Sequence, residues 1–321
     1  MKPTQDLIEF HDLAPPQERF LDAVFEGFGR PQKQIPCKFL YDQRGSELFE
    51  EICELPEYYP TRTEMALLER YRADMAAAIG PHCQLIEFGS GASRKVRLLL
   101  DALDRPGAYV AVDISKVLLR QSAVALARDY PELDVVAICA DYTREFPLPP
   151  PGAGMRVAFF PGSTIGNFTP AEAEHFLANC ARTLRGGGAM LIGVDLKKNP
   201  SVLHAAYNDS LGVTADFNLN LLTRINRELG GDFDLDRFRH LAFYNDARGR
   251  IEIYIESLRE QTVAVAGRKF HLGKGERIHT EDSCKYSVDE FRSLAQRSGF
   301  IPSAVWVDGQ GLFSLHLLRA R

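Results

Sequence analysis

At 321 residues, 45% of them hydrophobic and 25% charged, the chain is long enough for two domains and too apolar to be disordered. A net charge of −5 argues against a nucleic-acid partner, and the densest basic stretch, Arg94-Lys95-Val96-Arg97, is short. Six scattered cysteines with no Cys-x-x-Cys argue against a metal site, and no apolar run approaches the roughly 20 residues of a membrane span, so a soluble cytoplasmic protein is expected, with no nucleic-acid or membrane partner.

Residues 1–35 are polar apart from an amphipathic run at Phe20, Leu21, Val24, Phe25 and Phe28, which stops near Gly29. A second helical pattern over 46–55 carries Phe49, Ile52 and Cys53 on one face, with Ser46 as its expected cap. The stretch 55–64, with two prolines bracketing Tyr58 and Tyr59, reads as a rigid aromatic connection. From 65 to 196 strand and helix periods alternate, which indicates a parallel α/β sheet with strands at 84–88, 108–113, 134–139, 155–160 and 188–194. Ser115 is placed to cap the helix after the second strand, and Thr169-Pro170-Ala171-Glu172 reads as a capping box.

After Asp195 the texture changes. Two helical segments, 199–207 and 213–228, lead into a strand where Ile251, Ile253 and Ile255 alternate with Glu252, Tyr254 and Glu256. Ser287 and Glu290 cap a last helix, and 303–307 with 312–318 form a hairpin around Asp308-Gly309-Gln310-Gly311. A hairpin closing an otherwise parallel sheet is the usual ending of a class I methyltransferase fold, so the expected fold class is α/β, a Rossmann-like sheet with an antiparallel C-terminal hairpin plus a smaller α+β domain.

Ligands of parallel sheets bind at the carboxyl ends of the strands. The first strand ends in Glu87-Phe88-Gly89-Ser90-Gly91, a tight turn that lets a ligand approach the backbone. Arg94 stands where a dinucleotide fingerprint has its third glycine, so this is not a standard NAD site. The second strand ends in Asp113, 24 residues after Gly89 and suited to ribose hydroxyls; Asp141-Tyr142 after the third suits an adenine amino group and ring face. Three strand ends that fit one adenosine ligand point to S-adenosylmethionine. The fourth is followed by Pro161-Gly162-Ser163-Thr164-Ile165-Gly166-Asn167, a polar turn placed to orient a substrate.

Four blocks carry a family resemblance: 55–64 (LPEYYPTRTE), Glu87-Phe88-Gly89-Ser90-Gly91, Gly162-Ser163-Thr164-Ile165-Gly166-Asn167, and Thr280-Glu281-Asp282-Ser283-Cys284-Lys285-Tyr286. Together they resemble the histidine-specific Nα-methyltransferases of ergothioneine biosynthesis, from about residue 35 to the C-terminus. The resemblance implies a methyltransferase domain at 66–196 and 284–321 and a substrate-recognition domain at 1–65 and 197–283. It also implies three methyl transfers from S-adenosylmethionine to the α-amine of L-histidine, giving hercynine; a monomer is expected because the sequence shows no heptad and no long exposed edge.

Carried over by motif, Glu281 and Ser283 match the pair that holds the imidazole. Tyr58, Asn167 and Tyr207 match the groups that hold the carboxylate and position the amino end; Tyr41 and Gly162 lie near the amine, and Phe217 lines the pocket. Tyr41, Tyr58 and Asn167 are thus the catalytic candidates. Glu87, Gly89, Gly91, Lys95, Asp113, Asp141 and Tyr142 are the cofactor candidates, and no metal is implied. Tyr142 stands where the family carries Phe, and Ile253 where some members carry Met. Relatives that methylate a tryptophan leave open another small amine, and a non-catalytic cofactor-binding protein is the third alternative. The Glu281 and Ser283 pair favours imidazole over indole.

Overall fold

The computed structural model describes residues 7–14, 19–90 and 94–321. Its elements run β1 (Glu9–Asp12), α1 (Phe20–Phe28), α2 (Gln43–Glu54), α3 (Tyr59–Ile79), β2 (Gln84–Phe88), α4 (Arg94–Leu100), β3 (Ala108–Asp113) and α5 (Lys116–Asp129). Next come β4 (Asp134–Cys139), β5 (Arg156–Phe160), α6 (Pro170–Thr183), β6 (Ala189–Asp195), α7 (Pro200–Tyr207), α8 (Val213–Leu229) and β7 (Phe238–Asn245). The chain ends with β8 (Arg250–Ser257), β9 (Gln261–Val265), β10 (Arg268–Leu272), β11 (Arg277–Cys284), α9 (Val288–Arg297), β12 (Phe300–Val307) and β13 (Phe313–Ala320). Two compact units result: Met1–Pro16, Thr63–Leu196 and Tyr286–Arg321 form the first, Gln17–Arg62 and Lys197–Lys285 the second.

The first unit is built on an eight-stranded sheet in the order β1-β4-β3-β2-β5-β6-β13-β12. All neighbours are parallel except β13, which runs antiparallel to both β6 and β12. That is the α/β architecture with a C-terminal hairpin expected from the sequence. The inner strands read as near-continuous apolar runs, interrupted on β2 by Glu87, because helices cover both faces. Leu85 and Leu191 pack with α3, α4 and α5 side chains such as Met75, Leu99 and Leu126. Their strand neighbours Ile86 and Ile192 face the other way, onto Phe176 of α6 and Phe291 of α9. From β2 the strand order proceeds one way through β3 and β4, then reverses to β5 and β6. This reversal is the topological switch point, where α/β sheets open a crevice at the strand ends.

The second unit combines a three-stranded antiparallel sheet, β11-β8-β7, with the hairpin β9-β10. Its core joins Phe20, Val24 and Phe28 of α1, Ile52 of α2, Leu221 and Ile225 of α8, and Ile255, Val263, Phe270 and Ile278 of the strands. Ile251, Ile253 and Ile255 face inward as the alternation predicts. The acids between them are not solvated, however: Glu252 and Glu256 are also buried, under Arg250 and Arg239.

Four local expectations differ. Ser115 stands at the N-terminal end of α5, but its side chain makes no capping bond. The polar N-terminal segment contains β1, which pairs in parallel with β4 and covers a sheet edge. The helix expected from Ser46 starts at Gln43, because Asp42 rather than Ser46 supplies the cap, its carboxylate accepting from Gly45 N at 2.8 Å. Tyr59–Glu64 is helix rather than connection, since Pro60 falls in the first turn of α3, where its missing N–H is no loss. Both expected capping boxes, Thr169 with Glu172 and Ser287 with Glu290, form.

Asp42 also accepts from Asn220 Nδ2 at 2.8 Å and Arg227 Nη2 at 2.7 Å. Asp42→Ala is therefore expected to lose a cap and two tertiary bonds, about 2–3 kcal/mol in urea denaturation, whereas Ser46→Ala changes little.

Candidate functional site

The carboxyl ends of β2, β3 and β4 lie side by side because the three strands are neighbours. At the first, Gly89 has φ +72° and donates its N–H to Val112 O at 2.9 Å. Among the described residues a Cβ there would meet only the Tyr142 ring, at 3.9 Å, so on that side the backbone is open to a ligand. Gly91 lies outside the described residues. Asp113 ends β3 and its Oδ1 accepts from Ser115 N at 2.8 Å. The Oδ1 of Asp141, beyond β4, takes the N–H and hydroxyl of Thr143 at 3.0 and 2.6 Å. The Tyr142 ring stacks on Phe88 with centroids 5.9 Å apart and is edged by Phe160 and Phe176. An open glycine turn, two successive acids and a supported ring match the parts of an adenosyl amino-acid ligand. Glu87 is placed differently: it is buried, and its carboxylate accepts from the Tyr109 hydroxyl. Burial pushes this carboxyl up to about 8, with Tyr109 pulling the other way.

Lys95 does not project freely from its helix. Its Nζ donates to Glu64 Oε2 at 2.6 Å, and Glu64 is fully buried. Both Glu64 oxygens also lie 2.9 Å from the N–H of Gly162. One carboxylate thus ties α3, α4 and the turn after β5 together. Room for it comes from Gly193 on β6, where an added Cβ would stand 2.2 Å from Glu64 Oε1. The turn itself uses two left-handed residues in succession, Gly162 at φ +80° and Ser163 at φ +55°. Ser163 is held there by accepting from Asp195 N at 2.9 Å. A short 3-10 turn, Thr164–Asn167, follows and presents Asn167 half-buried.

In the second unit, Tyr41, Phe49, Tyr58 and Phe217 form an aromatic cluster. Ring centroids are 5.6 Å apart for Tyr41–Phe49, 5.5 Å for Tyr41–Phe217 and 6.3 Å for Phe49–Tyr58. Tyr58 in turn meets Tyr207 edge-on at 6.3 Å. The Tyr207 hydroxyl bonds Ser283 Oγ at 2.8 Å, and Lys285 Nζ donates to both, at 2.9 and 2.8 Å. His240 Nε2 sits 2.9 Å from the Tyr207 carbonyl and fixes the other end of that residue.

Glu281 reaches this group through an irregularity of β11. The register with β8 shifts between His279 and Glu281, so His279 pairs with Tyr254 and Glu281 with Ile253. The extra residue, Thr280, is anchored by its hydroxyl to Ile253 O at 3.2 Å. Without the bulge, strict alternation from Ile278 would put Asp282 inward and Glu281 outward. With it, Glu281 and Ser283 share the inner face, while Asp282 joins His279 and Arg250 on the outer one. Burial pushes the Glu281 carboxyl up to about 7, Lys285 lowering it and Asp282 raising it. Among the described residues no hydrogen-bond donor reaches this carboxylate. Burial likewise holds the Tyr58 phenol well above the usual range for tyrosine, so it stays neutral.

The structure therefore gathers Tyr41, Tyr58, Tyr207, Phe217, Glu281 and Ser283 in the second unit. Gly89, Lys95, Asp113, Asp141, Tyr142, Gly162 and Asn167 stand at or beside strand ends of the first, with Glu87 on β2 itself. Two residues missing from the expected set are Glu64 and Lys285. Both lie inside the resembling blocks, and Lys285 carried a readable signal: 281, 283 and 285 have one parity along a strand.

The chain matches the model of the histidine-specific, SAM-dependent methyltransferases over residues 20–320. It is 40% identical over 299 residues to the histidine N-alpha-methyltransferase of Mycolicibacterium smegmatis, covering 92% of each chain. Ergothioneine biosynthesis protein 1 of Neurospora crassa is 33% identical over 89% of this chain and 33% of its own length. Among solved structures, an S-adenosylmethionine-dependent methyltransferase from Clostridium acetobutylicum aligns at TM-score 0.46 and 11% identity, covering 79% of this chain and 91% of its own.

Gly193→Ala is expected to dislodge Glu64 and weaken S-adenosylmethionine binding at least tenfold in calorimetry, since a partly displaced buried carboxylate loses its partners. Glu281 sets a pH signature of stability. Its folded value near 7 exceeds the ordinary 4.5, so its contribution is intact below about pH 4.5 and lost as the pH rises through 7. Glu281→Gln should therefore gain on wild type by up to roughly 3 kcal/mol between pH 4.5 and 8, read by denaturation without ligands.

Proposed function

The chain belongs to the SAM-dependent, histidine-specific methyltransferase family, and from that premise we propose that it trimethylates the α-amine of free L-histidine to give hercynine for ergothioneine biosynthesis. The observation that carries the choice of substrate is Glu281, a buried carboxylate two residues from the Ser283 hydroxyl and met by no donor from the described chain. An acid in that state is completed by a ligand N–H, and an imidazole offers an N–H and an acceptor nitrogen on one ring. A substrate without that N–H leaves the acid desolvated and unpaired, which is how such a site rejects it.

S-adenosylmethionine supplies the electrophilic methyl group of its sulfonium. Gly89 admits its amino-acid portion to the backbone, Asp113 takes the ribose hydroxyls, and Asp141 with Tyr142 receives the adenine. Lys95, held by Glu64, and the Gly162 turn order the neighbouring strand ends. On the substrate side, Tyr58 remains a neutral phenol and donates to the carboxylate, Tyr41 stands near the amine, and the Tyr207 hydroxyl orders Ser283. Phe217 and the other rings offer faces that tolerate the growing ammonium charge. The protein's contribution is orientation of an amine for in-line displacement, with no covalent step on a side chain. Six cysteines that form no disulfide, four of them buried, suit a reducing cytoplasm.

Incubation with S-adenosylmethionine and a mixture of free amino acids, read by mass spectrometry, should give trimethylated histidine and leave tryptophan unchanged. A different methylated amine, or none, overturns the proposal. Glu281→Ala should raise the histidine KM about 100-fold with cofactor binding unchanged.

A further inference from the structure

The role of Lys285 follows from proton counting around one triangle. Its side chain is 3% exposed, and Nζ lies 2.9 Å from the Tyr207 hydroxyl and 2.8 Å from the Ser283 hydroxyl, which are themselves 2.8 Å apart. A protonated lysine has three donors and no acceptor, whereas each hydroxyl has one proton and two lone pairs. Lys285 therefore fills one lone pair on both oxygens. Of the two hydroxyl protons, one makes the Tyr207–Ser283 bond and the other must leave the triangle. When Tyr207 donates, as the more acidic hydroxyl, both Ser283 lone pairs are filled and the Ser283 proton points outward.

On the strength of the proposed function, we propose that Lys285 is a positioning residue that sets substrate specificity. By filling one Ser283 lone pair while Tyr207 donates into the other, it leaves Ser283 to donate beside the acceptor Glu281, so that the pair reads a ring with one N–H and one bare nitrogen. Three further observations support this. Lys285 shares the parity of Glu281 and Ser283 beyond the β11 bulge, and its own N–H is fixed on Gly249 O at 2.8 Å. Its ammonium also lies 4.9 Å from the Tyr207 ring centroid, so the chain is clamped at backbone and tip. The charged groups acting on Glu281 are Lys285 and Asp282, and only Lys285 favours the carboxylate. An indole, which has no bare ring nitrogen, gains nothing from the Ser283 donor.

The test compares wild type with Lys285→Met, Lys285→Gln and Lys285→Arg, measuring histidine KM and kcat and, by calorimetry, S-adenosylmethionine affinity. Lys285→Met removes two charge-assisted bonds and should raise the histidine KM about 30-fold or more, with kcat within roughly threefold and cofactor affinity unchanged. Lys285→Arg, which keeps charge and donors, should recover most of the loss. If Lys285→Met does not fold, Lys285→Gln carries the test, since it keeps a donor but not the charge and should give an intermediate KM. A histidine KM near wild type in the neutral variants, an equal loss of cofactor affinity, or no recovery by Lys285→Arg overturns the inference. Wild-type enzyme that leaves histidine unmethylated overturns the proposed function instead, and the specificity role with it; the wild-type control thus separates the two failures.

Discussion

A single buried carboxylate, Glu64, ties together the parts of the first unit that frame its candidate ligand site. A fully desolvated charge is tolerated only when its partners are in place, and its partners come from α4 and the turn after β5. Removing either would strand the other, so the helix, the turn and α3 are held in one arrangement. The space for this contact is supplied by Gly193, a missing side chain on a strand otherwise filled with apolar residues. The consequence is a rigid rim at the switch point of the sheet, with Gly89, Asp113 and Asp141 on one side of β2 and the strained Gly162–Ser163 turn on the other.

The second unit solves a similar problem with the opposite sign. Lys285 is a buried cation, and the Tyr207 and Ser283 oxygens are its acceptors. The bulge at Thr280 determines which acid faces the same space. A one-residue change of register exchanges Glu281 for Asp282 on the inner face, a longer carboxylate for a shorter one, and turns Ser283 outward with it. The outer acid is then consumed by Arg250 and His279, which leaves the inner one for a ligand. Which acid faces the inner side is therefore a matter of strand register as much as of residue identity.

Histidine specificity places demands on both polarity and shape. The rings of Tyr41, Phe49, Tyr58 and Phe217 cluster in the second unit, and in the proposed function they provide the apolar faces while Glu281 and Ser283 provide one acceptor and one donor. Ile253 pairs with Glu281 across the sheet, so the aliphatic residue noted as a departure from some relatives lies directly beside the acid proposed to read the substrate.

The alternation of strand and helix periods, the terminal hairpin, the capping boxes and the acids at successive strand ends were legible in the sequence, because each depends on local periodicity or on the spacing between a strand end and its neighbour. The motif blocks also carried the family and most of the candidate site. Other features were decided only by tertiary structure. The short strand at 9–12 exists because the edge of β4 accepts it, not because its polar residues prefer a strand. Asp42 rather than Ser46 caps α2 because Asn220 and Arg227, far away in sequence, converge on it. Glu64 and Lys285 matter through partners 31 to 98 and 78 positions away, and no local pattern reports such a pairing. The inward face of Glu281 depends on one extra residue in a β-ladder, and a period of two read along one strand cannot reveal where its partner slips.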